Sequence, residues 1–528
     1  MGDLKDDLAL ASAYGPHAAS EVQLVETHIS WVFLVGDDVY KVKKPVDLGF
    51  LDFHTTEARK AACHAEVTLN ARLAPGVYLG VVPIRRGPDG VHRIEGPGDT
   101  VDWAVHMARL PDGARADGRV VCNLLRGEDV DAIARRLAEF HAGARCDAET
   151  SRFGEPDVIA RNVFENFTQT RGDVERFVRP AEAEEIERTQ TDFLRDKASL
   201  FRARADGGRV RDGHGDLRLE HVYLEGGRVT IVDCIEFNDR FRYGDVCSDV
   251  AFLSMDLAWH GRVDLAERLL ARYAREADDF DLYALVDFYE GYRAYVRAKV
   301  SMLLAADAGA GDRGRDRARV EARRYLLLAL AAGRRSLLSP RLVCVGGLVA
   351  SGKSTIAEAI SHELGAPVID ADRTRKRMLG VTPTSHVDDG PWQGAYEPRV
   401  TSRVYAEVLR RARVVLASGR PVIVDASFRS RAMRDSARHL AAELGVPFAF
   451  VECRCPPDVA RRRLTARDAG GVVSDARLPL FDEFAARFEP FDELSDRERI
   501  VLDTSSPLED GLSTLRARVA TWPRGLVM

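Results

Sequence analysis

The stretch LVCVGGLVASGKST, residues 342–355, decides the fold of the C-terminal part of the chain. An apolar run typical of a buried strand leads into a G-x-x-x-x-G-K-S loop, and a helical pattern follows. In such a loop, backbone N–H groups surround phosphate oxygens, Lys353 reaches the β- and γ-phosphates, and the Ser354 hydroxyl binds Mg²⁺. The residues that we expect to bind ATP and Mg²⁺ are Gly347, Ser351, Gly352, Lys353, Ser354 and Thr355.

Short apolar runs alternate with helical patterns after this loop. The runs occupy residues 368–370, 422–425, 448–453 and 500–503. Strands that alternate with helices in this way are typical of a parallel sheet. We therefore predict an α/β P-loop domain with a parallel sheet over residues 339–528.

Charged residues follow the second strand of this predicted sheet in the segment DADRTRK, residues 370–376. This segment resembles the D-x-x-R motif of small P-loop kinases, which include polynucleotide, gluconate and zeta-toxin-like kinases. The resemblance implies that Asp372 orients and deprotonates an acceptor hydroxyl. It also implies that Arg375 holds an anion of the acceptor, with Lys376 nearby. Asp425 resembles a Walker-B-type metal carboxylate, and capping of a helix is the alternative role for it.

An arginine-rich segment, RRRLTAR at residues 461–467, lies where these kinases carry a lid. A lid arginine can stabilise the charge of the phosphoryl group during transfer. Arg463 and Arg467 are one helical turn apart and can face the site together. The alternative is a solvated helix face in an arginine-rich chain.

Two aromatic residues, Trp392 and Tyr396, are four positions apart in this half of the chain. Their side chains could stack on a base or a sugar. A role in the hydrophobic core is an equally good interpretation of the spacing.

A second set of residues suited to phosphate chemistry lies in the N-terminal half. Asp216, in HGDLRLEHV, is a candidate base for an attacking hydroxyl, and Asp233 ends the next strand-like run, where a carboxylate can hold Mg²⁺. Lys41 follows a predicted β-hairpin turn and can neutralise the α- and β-phosphates. Glu66, in the next predicted helix, can pair with that lysine. Lys43 shares the strand face of Lys41 and is the alternative.

These residues resemble the aminoglycoside-phosphotransferase branch of the protein-kinase-like superfamily, which includes choline- and homoserine-kinase-like enzymes. The resemblance covers residues 29–338 and also extends to an uncharacterised bacterial group. Besides HGDLRLEHV, it rests on IVDCIEF at residues 231–237 and on the segment from Gly244 to Asp249. The family places a metal-binding Asn five residues after the base. Here that position is His221, which we assign to the metal, and the glycine-rich loop is reduced to residues 36–38.

The strand and helix patterns divide the chain into three parts. Strands with one early helix predict a kinase-like N-lobe over residues 1–110, and helical patterns predict a kinase-like C-lobe over residues 111–338. Within the C-lobe, residues 182–205 are predicted to form one long amphipathic helix, and the residues 308–316, rich in Gly, Asp and Arg, are predicted to form a loop. The P-loop domain follows. The expected fold is therefore an α+β two-lobed kinase-like domain followed by an α/β domain with a parallel sheet.

Composition gives broad limits on partners and location. The formal net charge is -6 and the pI is about 6.2, so no global basic field indicates a nucleic-acid partner. The first fifteen residues lack the pattern of a secretory signal, and no apolar run approaches the ~20 residues that span a bilayer. We expect a cytoplasmic protein without a membrane partner.

The leading functional hypothesis is a bifunctional ATP-dependent kinase with two ATP·Mg²⁺ sites. The N-terminal half would phosphorylate a hydroxyl of a small polar molecule. The C-terminal half would phosphorylate a small metabolite or the 5′-hydroxyl of a nucleic acid. One alternative is that the N-terminal half is a non-catalytic nucleotide sensor that regulates the P-loop kinase, and another is a nucleic-acid end-repair kinase.

Overall fold

The computed structural model describes residues 3–15, 21–47, 49, 51–307, 311–332, 339–382, 385, 392–467 and 481–522. The chain divides into two compact units. The first consists of Met1–His260 and Tyr292–Leu326, and the second consists of Gly261–Gly291 and Leu327–Met528.

A six-stranded antiparallel sheet forms the first part of unit one. Its strands are β1 (Val22–Glu26), β2 (Ser30–Val35), β3 (Asp38–Lys43), β4 (Tyr78–Arg86), β5 (His92–Ile94) and β6 (Asp99–Ala108), in the order β1-β2-β3-β6-β4-β5. Phe33, Val42 and Ile84 are fully buried in one core cluster of the sheet. The helix Thr56–Asn70 contributes Cys63 to another cluster, which also contains Val105. The predicted hairpin and early helix are confirmed.

Helices make up most of the remainder of unit one. They are Leu4–Leu8, Ala116–Val121, Gly127–Gly143, Ala148–Ser151, Pro156–Thr170, Pro180–Asp196, Ala198–Asp206, Asp239–Arg242 and Val246–Trp259. Two further helices, Val286–Ala306 and Gly311–Ala332, have residues in both units. Two small antiparallel pairs complete the unit, β7 (Val210–Asp212) with β10 (Tyr243–Asp245) and β8 (Val222–Glu225) with β9 (Arg228–Ile231).

Two details of the helical region differ from the sequence prediction. The amphipathic stretch predicted over residues 182–205 is two helices, which meet at Lys197. The loop predicted over residues 308–316 was wrong from residue 311 onward, because the helix Gly311–Ala332 begins there. Ion pairs between residues three apart, Asp312 with Arg315 and Asp316 with Arg319, stabilise the first turns of this helix despite its glycines.

A five-stranded parallel sheet forms the centre of unit two and confirms the predicted α/β architecture. Its strands are β11 (Leu342–Gly346), β12 (Val368–Asp370), β13 (Val422–Asp425), β14 (Phe448–Arg454) and β15 (Arg499–Asp503), in the order β12-β13-β11-β14-β15. Its helices are Val263–Glu276, Lys353–Leu364, Ala371–Met378, Pro398–Ala417, Arg431–Glu443, Pro457–Arg467, Phe481–Ala486 and Leu508–Arg516. The core includes Val343, Val345, Ile423 and Val451, all fully buried.

The segment Gly261–Gly291 belongs to unit two, although its sequence predicted that it lies in the kinase-like C-lobe. Buried Arg420 makes ion pairs with Glu267 at 2.9 Å and Asp287 at 2.8 Å, and Arg411 pairs with Asp278 at 2.7 Å. These long-range pairs attach the segment to the P-loop fold. The boundary predicted at residue 338 lies outside the described residues.

Within the described part of the chain, every helix is too short or too polar to cross a membrane.

Candidate active sites

The P-loop of unit two connects β11 to the helix Lys353–Leu364, and its backbone requires two glycines. Gly347 has φ 142°, and a Cβ there would lie 2.4 Å from the carbonyl oxygen of Cys453. Gly352 has φ 84° and precedes the first residue of the helix. Larger residues at these two positions would disrupt the loop, whose backbone N–H groups are needed to bind phosphate.

Polar atoms of this loop fit a phosphate group. The Lys353 Nζ donates a hydrogen bond to the Leu348 carbonyl of its own loop, at 2.9 Å. The Ser351 hydroxyl is buried and has no hydrogen-bond partner among the described residues. A buried hydroxyl without a partner is costly, and a phosphate oxygen is a suitable acceptor for it. Thr355 lies in the first turn of the helix that follows.

Two carboxylates lie side by side at the carboxyl edge of the sheet. Asp370 and Asp425 are opposite one another on the parallel strands β12 and β13. Burial, with the charges of Asp425 and Asp372, raises the pKa of Asp370 to about 7. Burial also raises the pKa of Asp425, although the nearby Lys353 and a hydrogen bond from Ser354 oppose the shift. Asp425 and Ser354 are thus a hydroxyl and carboxylate pair of the type that holds Mg²⁺ beside a P-loop.

The helix Ala371–Met378 presents the predicted acceptor-side residues. The side chain of Asp372 is 36% exposed, and its Oδ1 accepts a hydrogen bond from Arg375 Nη1 at 2.8 Å. Arg375 is buried and its guanidinium lies over the ring of Tyr396, 4.5 Å from the centroid. Lys376 is only 1% exposed, so its side chain is packed inside the unit.

The predicted lid arginine, Arg463, contacts the P-loop. Its Nη1 donates to the Ala350 carbonyl at 3.3 Å and to the Thr504 hydroxyl at 3.2 Å, and its Nη2 donates to the Thr504 carbonyl at 2.6 Å. In this conformation Arg463 braces the loop. Arg467 ends the helix Pro457–Arg467, and its side chain lies outside the described residues.

In unit one, both candidate lysines reach the same glutamate. Glu66 is fully buried on the helix Thr56–Asn70, and it pairs with Lys41 at 2.8 Å through Oε1 and with Lys43 at 2.6 Å through Oε2. Lys41 also pairs with Asp233, whereas Lys43, which is fully buried, pairs with Glu236. Burial lowers the pKa of Lys41, but the negative charges of Asp233 and Glu66 outweigh it and raise the pKa above its ordinary value.

Asp233 has an unusual backbone for a non-glycine residue, with φ 68°. Its N–H donates to the Tyr78 hydroxyl at 3.1 Å, and the N–H of Cys234 donates to the Asn70 side-chain oxygen at 2.9 Å. These contacts fix the turn. The Asp233 side chain is 43% exposed, so it can accept a further ligand.

Asp216 forms a two-point ion pair with Arg218, with Nε and Nη2 of the arginine 3.1 and 3.0 Å from the carboxylate oxygens. Burial would raise the pKa of Asp216, but Arg218 and His221 outweigh it and hold the pKa well below its usual range. The loop itself is fixed by Asp249, which accepts hydrogen bonds from the backbone N–H groups of His214 at 2.7 Å and Gly215 at 2.9 Å.

His221 lies between the two carboxylates. Its Nδ1 contacts the Asp216 carbonyl oxygen at 2.8 Å, which places the proton on Nδ1. Its Nε2 lies 3.5 Å from an Asp233 oxygen. A group of three exposed side chains in the described part of the chain is close enough to share a metal ion, but it consists of Asp47, Asp52 and His54 and does not include these residues.

The chain is similar to known proteins over its P-loop region and over most of its length. Residues 342–491 match the family model described as an AAA domain. The chain is 35% identical over 491 residues to the uncharacterized protein Rv2004c of Mycobacterium tuberculosis, covering 92% of this chain and 93% of that protein. The same values hold for the uncharacterized protein Mb2027c of Mycobacterium bovis. The chain belongs to the family of these mycobacterial proteins.

Two solved structures that are similar to parts of this chain are described as kinases. A gluconokinase from Sinorhizobium meliloti is 26% identical, with coverage of 35% of this chain and 94% of that chain and a TM-score of 0.25. A choline/ethanolamine kinase family protein from Mesorhizobium loti is 16% identical, with coverage of 62% and 97% and a TM-score of 0.35.

Sequence reasoning missed residues that the fold brings to both sites. Thr504 follows Asp503 at the end of β15, and its hydroxyl donates to the Ser351 carbonyl of the P-loop at 2.7 Å. The position after a parallel strand was a usable signal, because ligands bind at the carboxyl ends of such strands. Tyr78, Asn70 and Glu236 had no comparable signal.

Proposed function

We propose that this protein is an ATP-dependent phosphotransferase, and that unit two transfers the γ-phosphate of ATP to a hydroxyl group of a small molecule. The observation that carries the proposal is the group formed by the P-loop, the Ser354 and Asp425 pair, and the partly exposed Asp372. Phosphoryl transfer depends on positioning and charge stabilisation, and these residues supply both.

Each residue has a specific part in the proposed reaction. Asp372 orients the acceptor hydroxyl and accepts its proton as the oxygen attacks the γ-phosphorus and ADP leaves. Lys353 moves from the Leu348 carbonyl to the β- and γ-phosphates. Mg²⁺, held by Ser354 and Asp425, would neutralise charge on the phosphates. Arg463, whose guanidinium contacts the P-loop in this structure, is the candidate for stabilising the transferring phosphoryl group.

Unit one is proposed to be a second ATP·Mg²⁺ site, with Lys41 and Glu66 on the nucleotide side and Asp233 with His221 on the metal side. Asp216 is the candidate base for transfer to a small polar molecule. The second candidate function is a non-catalytic nucleotide sensor, and the two-point pair of Asp216 with Arg218 favours it. Arg218 engages both carboxylate oxygens of Asp216, whereas Arg375 engages only Oδ1 of Asp372, so Asp216 must first be released before it can accept a proton.

The proposed transfer is tested with the full chain, labelled ATP, Mg²⁺ and a panel of acceptors. The panel contains neutral sugars, sugar acids, phosphorylated sugars, aminoglycosides, nucleosides and oligonucleotides with a 5′-hydroxyl. We expect label on at least one small acceptor, and we expect Asp372→Asn to lower kcat for it by ~100-fold or more because the general base is lost.

One control variant and two contrary outcomes make this test specific. Arg413→Gln removes an exposed arginine that pairs with Glu443 at 2.6 Å, and it should keep the wild-type rate. Absence of label from every acceptor would argue against a kinase. Label only on oligonucleotides, with a steep dependence on salt, would instead identify an end-repair enzyme.

A further inference from the structure

A cluster of arginine and aromatic side chains follows strand β13, next to the proposed acceptor residues. Arg429 lies four residues after Asp425, and its guanidinium carbon is 3.9 Å from the centroid of the Trp392 ring. The guanidinium of Arg487 lies 4.4 Å from the same ring. Glu483 pairs with Arg487 and accepts a hydrogen bond from Trp392 Nε1, so the cation on this indole that lacks a carboxylate partner among the described residues is Arg429.

Arg429 has charge that its surroundings do not balance. No carboxylate among the described residues lies within ion-pair distance of it, whereas Arg487 pairs with Glu483 at 3.3 Å. Burial is the largest cause that lowers the pKa of Arg429, and the positive charges of Arg487 and Arg375 act in the same direction. Tyr405 and Glu489 oppose this shift without reversing it. A half-buried guanidinium without an ion-pair partner, near two other arginines, is expected to bind an anion.

Arg375 links this cluster to the proposed base. It is 6% exposed, its Nη1 binds Asp372, and its Nε has no hydrogen-bond partner among the described residues. A buried guanidinium with an unused donor is costly unless a ligand supplies the acceptor. Arg375 therefore has an Nε–H group that a ligand could bind, next to Asp372, which would accept the proton of the acceptor hydroxyl.

The backbone around Arg429 is held in a conformation that few residues adopt. Phe428 has φ 48° and Trp392 has φ 62°, both in the left-handed region. The N–H of Phe428 donates to the Tyr405 hydroxyl at 3.0 Å, which fixes the turn that precedes Arg429. Backbone strain of this kind is common at binding sites, where it presets a side chain.

From this geometry we propose that Arg429 is a further acceptor-binding residue of unit two, and that it binds an anionic group of the acceptor, a carboxylate or a phosphate, together with Arg375, for which the D-x-x-R resemblance already implies such a role. The inference rests on the proposed function of unit two. The planar guanidinium presents two parallel donors that match both kinds of anion. A small acceptor is favoured over nucleic acid because the chain has a net charge of -6.

The test measures binding without turnover. The full chain is saturated with Mg²⁺ and a non-hydrolysable ATP analogue and titrated calorimetrically with gluconate, glucose 6-phosphate and neutral sorbitol. We expect one of the two anions to bind at least ~10-fold more tightly than sorbitol. Arg429→Gln should weaken that anion ~10- to 100-fold, and Arg429→Lys should restore part of the loss.

The control and the contrary outcomes separate this inference from the proposed function. Arg413→Gln, away from the cluster, should bind the anions as the wild type does. Three outcomes would overturn the inference, even if a neutral acceptor is phosphorylated. Sorbitol binds as tightly as both anions, or neither anion binds, or Arg429→Gln binds the anions as tightly as Arg413→Gln does. Conversely, Arg429-dependent anion binding without transfer to any acceptor would support this subsite and contradict the kinase proposal.

Discussion

Asp370 is placed where its negative charge is costly. It is beside Asp425 and near Asp372, and burial is the largest cause of its raised pKa of about 7. Its side chain nevertheless accepts a hydrogen bond from the Arg373 N–H at 2.8 Å and so begins the helix Ala371–Met378. Because this side chain caps the helix, a polar residue at position 370 is favourable. Because other carboxylates lie close to it, the Asp370 carboxyl keeps its proton to a higher pH.

This environment predicts a pH-dependent effect of Asp370→Asn. The folded protein holds a proton that the unfolded chain releases near the ordinary pKa of 3.8, so stability falls as the pH rises toward 7. Asparagine keeps the cap and cannot ionise. At pH 8, we expect the Tm of the variant to exceed that of the wild type by a few degrees. At pH 4, we expect the two Tm values to be about equal. A difference that is constant between these pH values would contradict this assignment.

The two lysines of β3 show why one residue could not be chosen from the sequence with certainty. Lys41 and Lys43 lie on the same strand face and both pair with Glu66. The fold also brings Asp233 to Lys41 and Glu236 to Lys43, and the sequence does not reveal these pairs. The lysine that contacts Asp233 is the better candidate for the phosphates, because Asp233 is exposed to a ligand.

At the level of elements, local sequence patterns predicted most strands and the glycine loop. Each parallel strand of unit two is a short apolar run, and each glycine of the loop occupies a backbone geometry that other residues avoid. The helix that begins at Gly311 was missed because its composition indicates a loop. Its stabilising ion pairs are seen only when the helical spacing is known.

Segments that depend on distant charges could not be predicted. The segment Gly261–Gly291 joins unit two through pairs such as Arg420 with Glu267, which are 153 positions apart. Arg429 was likewise not singled out, because its partner Trp392 is brought to it only by the fold. The D-x-x-R motif was recognisable from its resemblance to that of small P-loop kinases, and its two residues, three positions apart, share a helix face.

The ion pairs of Arg420 predict that this segment is necessary for a stable unit two. Arg420 is 6% exposed, so Arg420→Ala leaves the Glu267 carboxylate, whose side chain is only 16% exposed, without its partner and should destabilise the unit by ~3 kcal/mol. The double variant Arg420→Leu, Glu267→Leu should recover much of the loss. Urea unfolding of the full chain measures both.

Arg413→Gln is the matched control for this stability prediction. It breaks an exposed pair on the same helix-rich unit and should cost no more than ~0.5 kcal/mol. An Arg420→Ala variant as stable as this control would mean that the segment contributes little to the unit.

For the whole molecule, the two units carry different chemical arrangements. Unit one has a lysine, a glutamate and an aspartate in direct ion pairs and a candidate base held by Arg218. Unit two has a P-loop with an unused buried hydroxyl and a partly exposed candidate base. We therefore propose phosphoryl transfer first for unit two.

The most direct measurement is the rate of labelled phosphate transfer from ATP to the acceptor found in the panel, compared between Lys353→Ala and Asp216→Asn in the full chain. We predict that Lys353→Ala lowers kcat/KM by ~100-fold or more, because the ammonium that stabilises the β- and γ-phosphates is lost. Transfer that survives Lys353→Ala and disappears in Asp216→Asn would contradict the account, because it would assign the reaction to unit one.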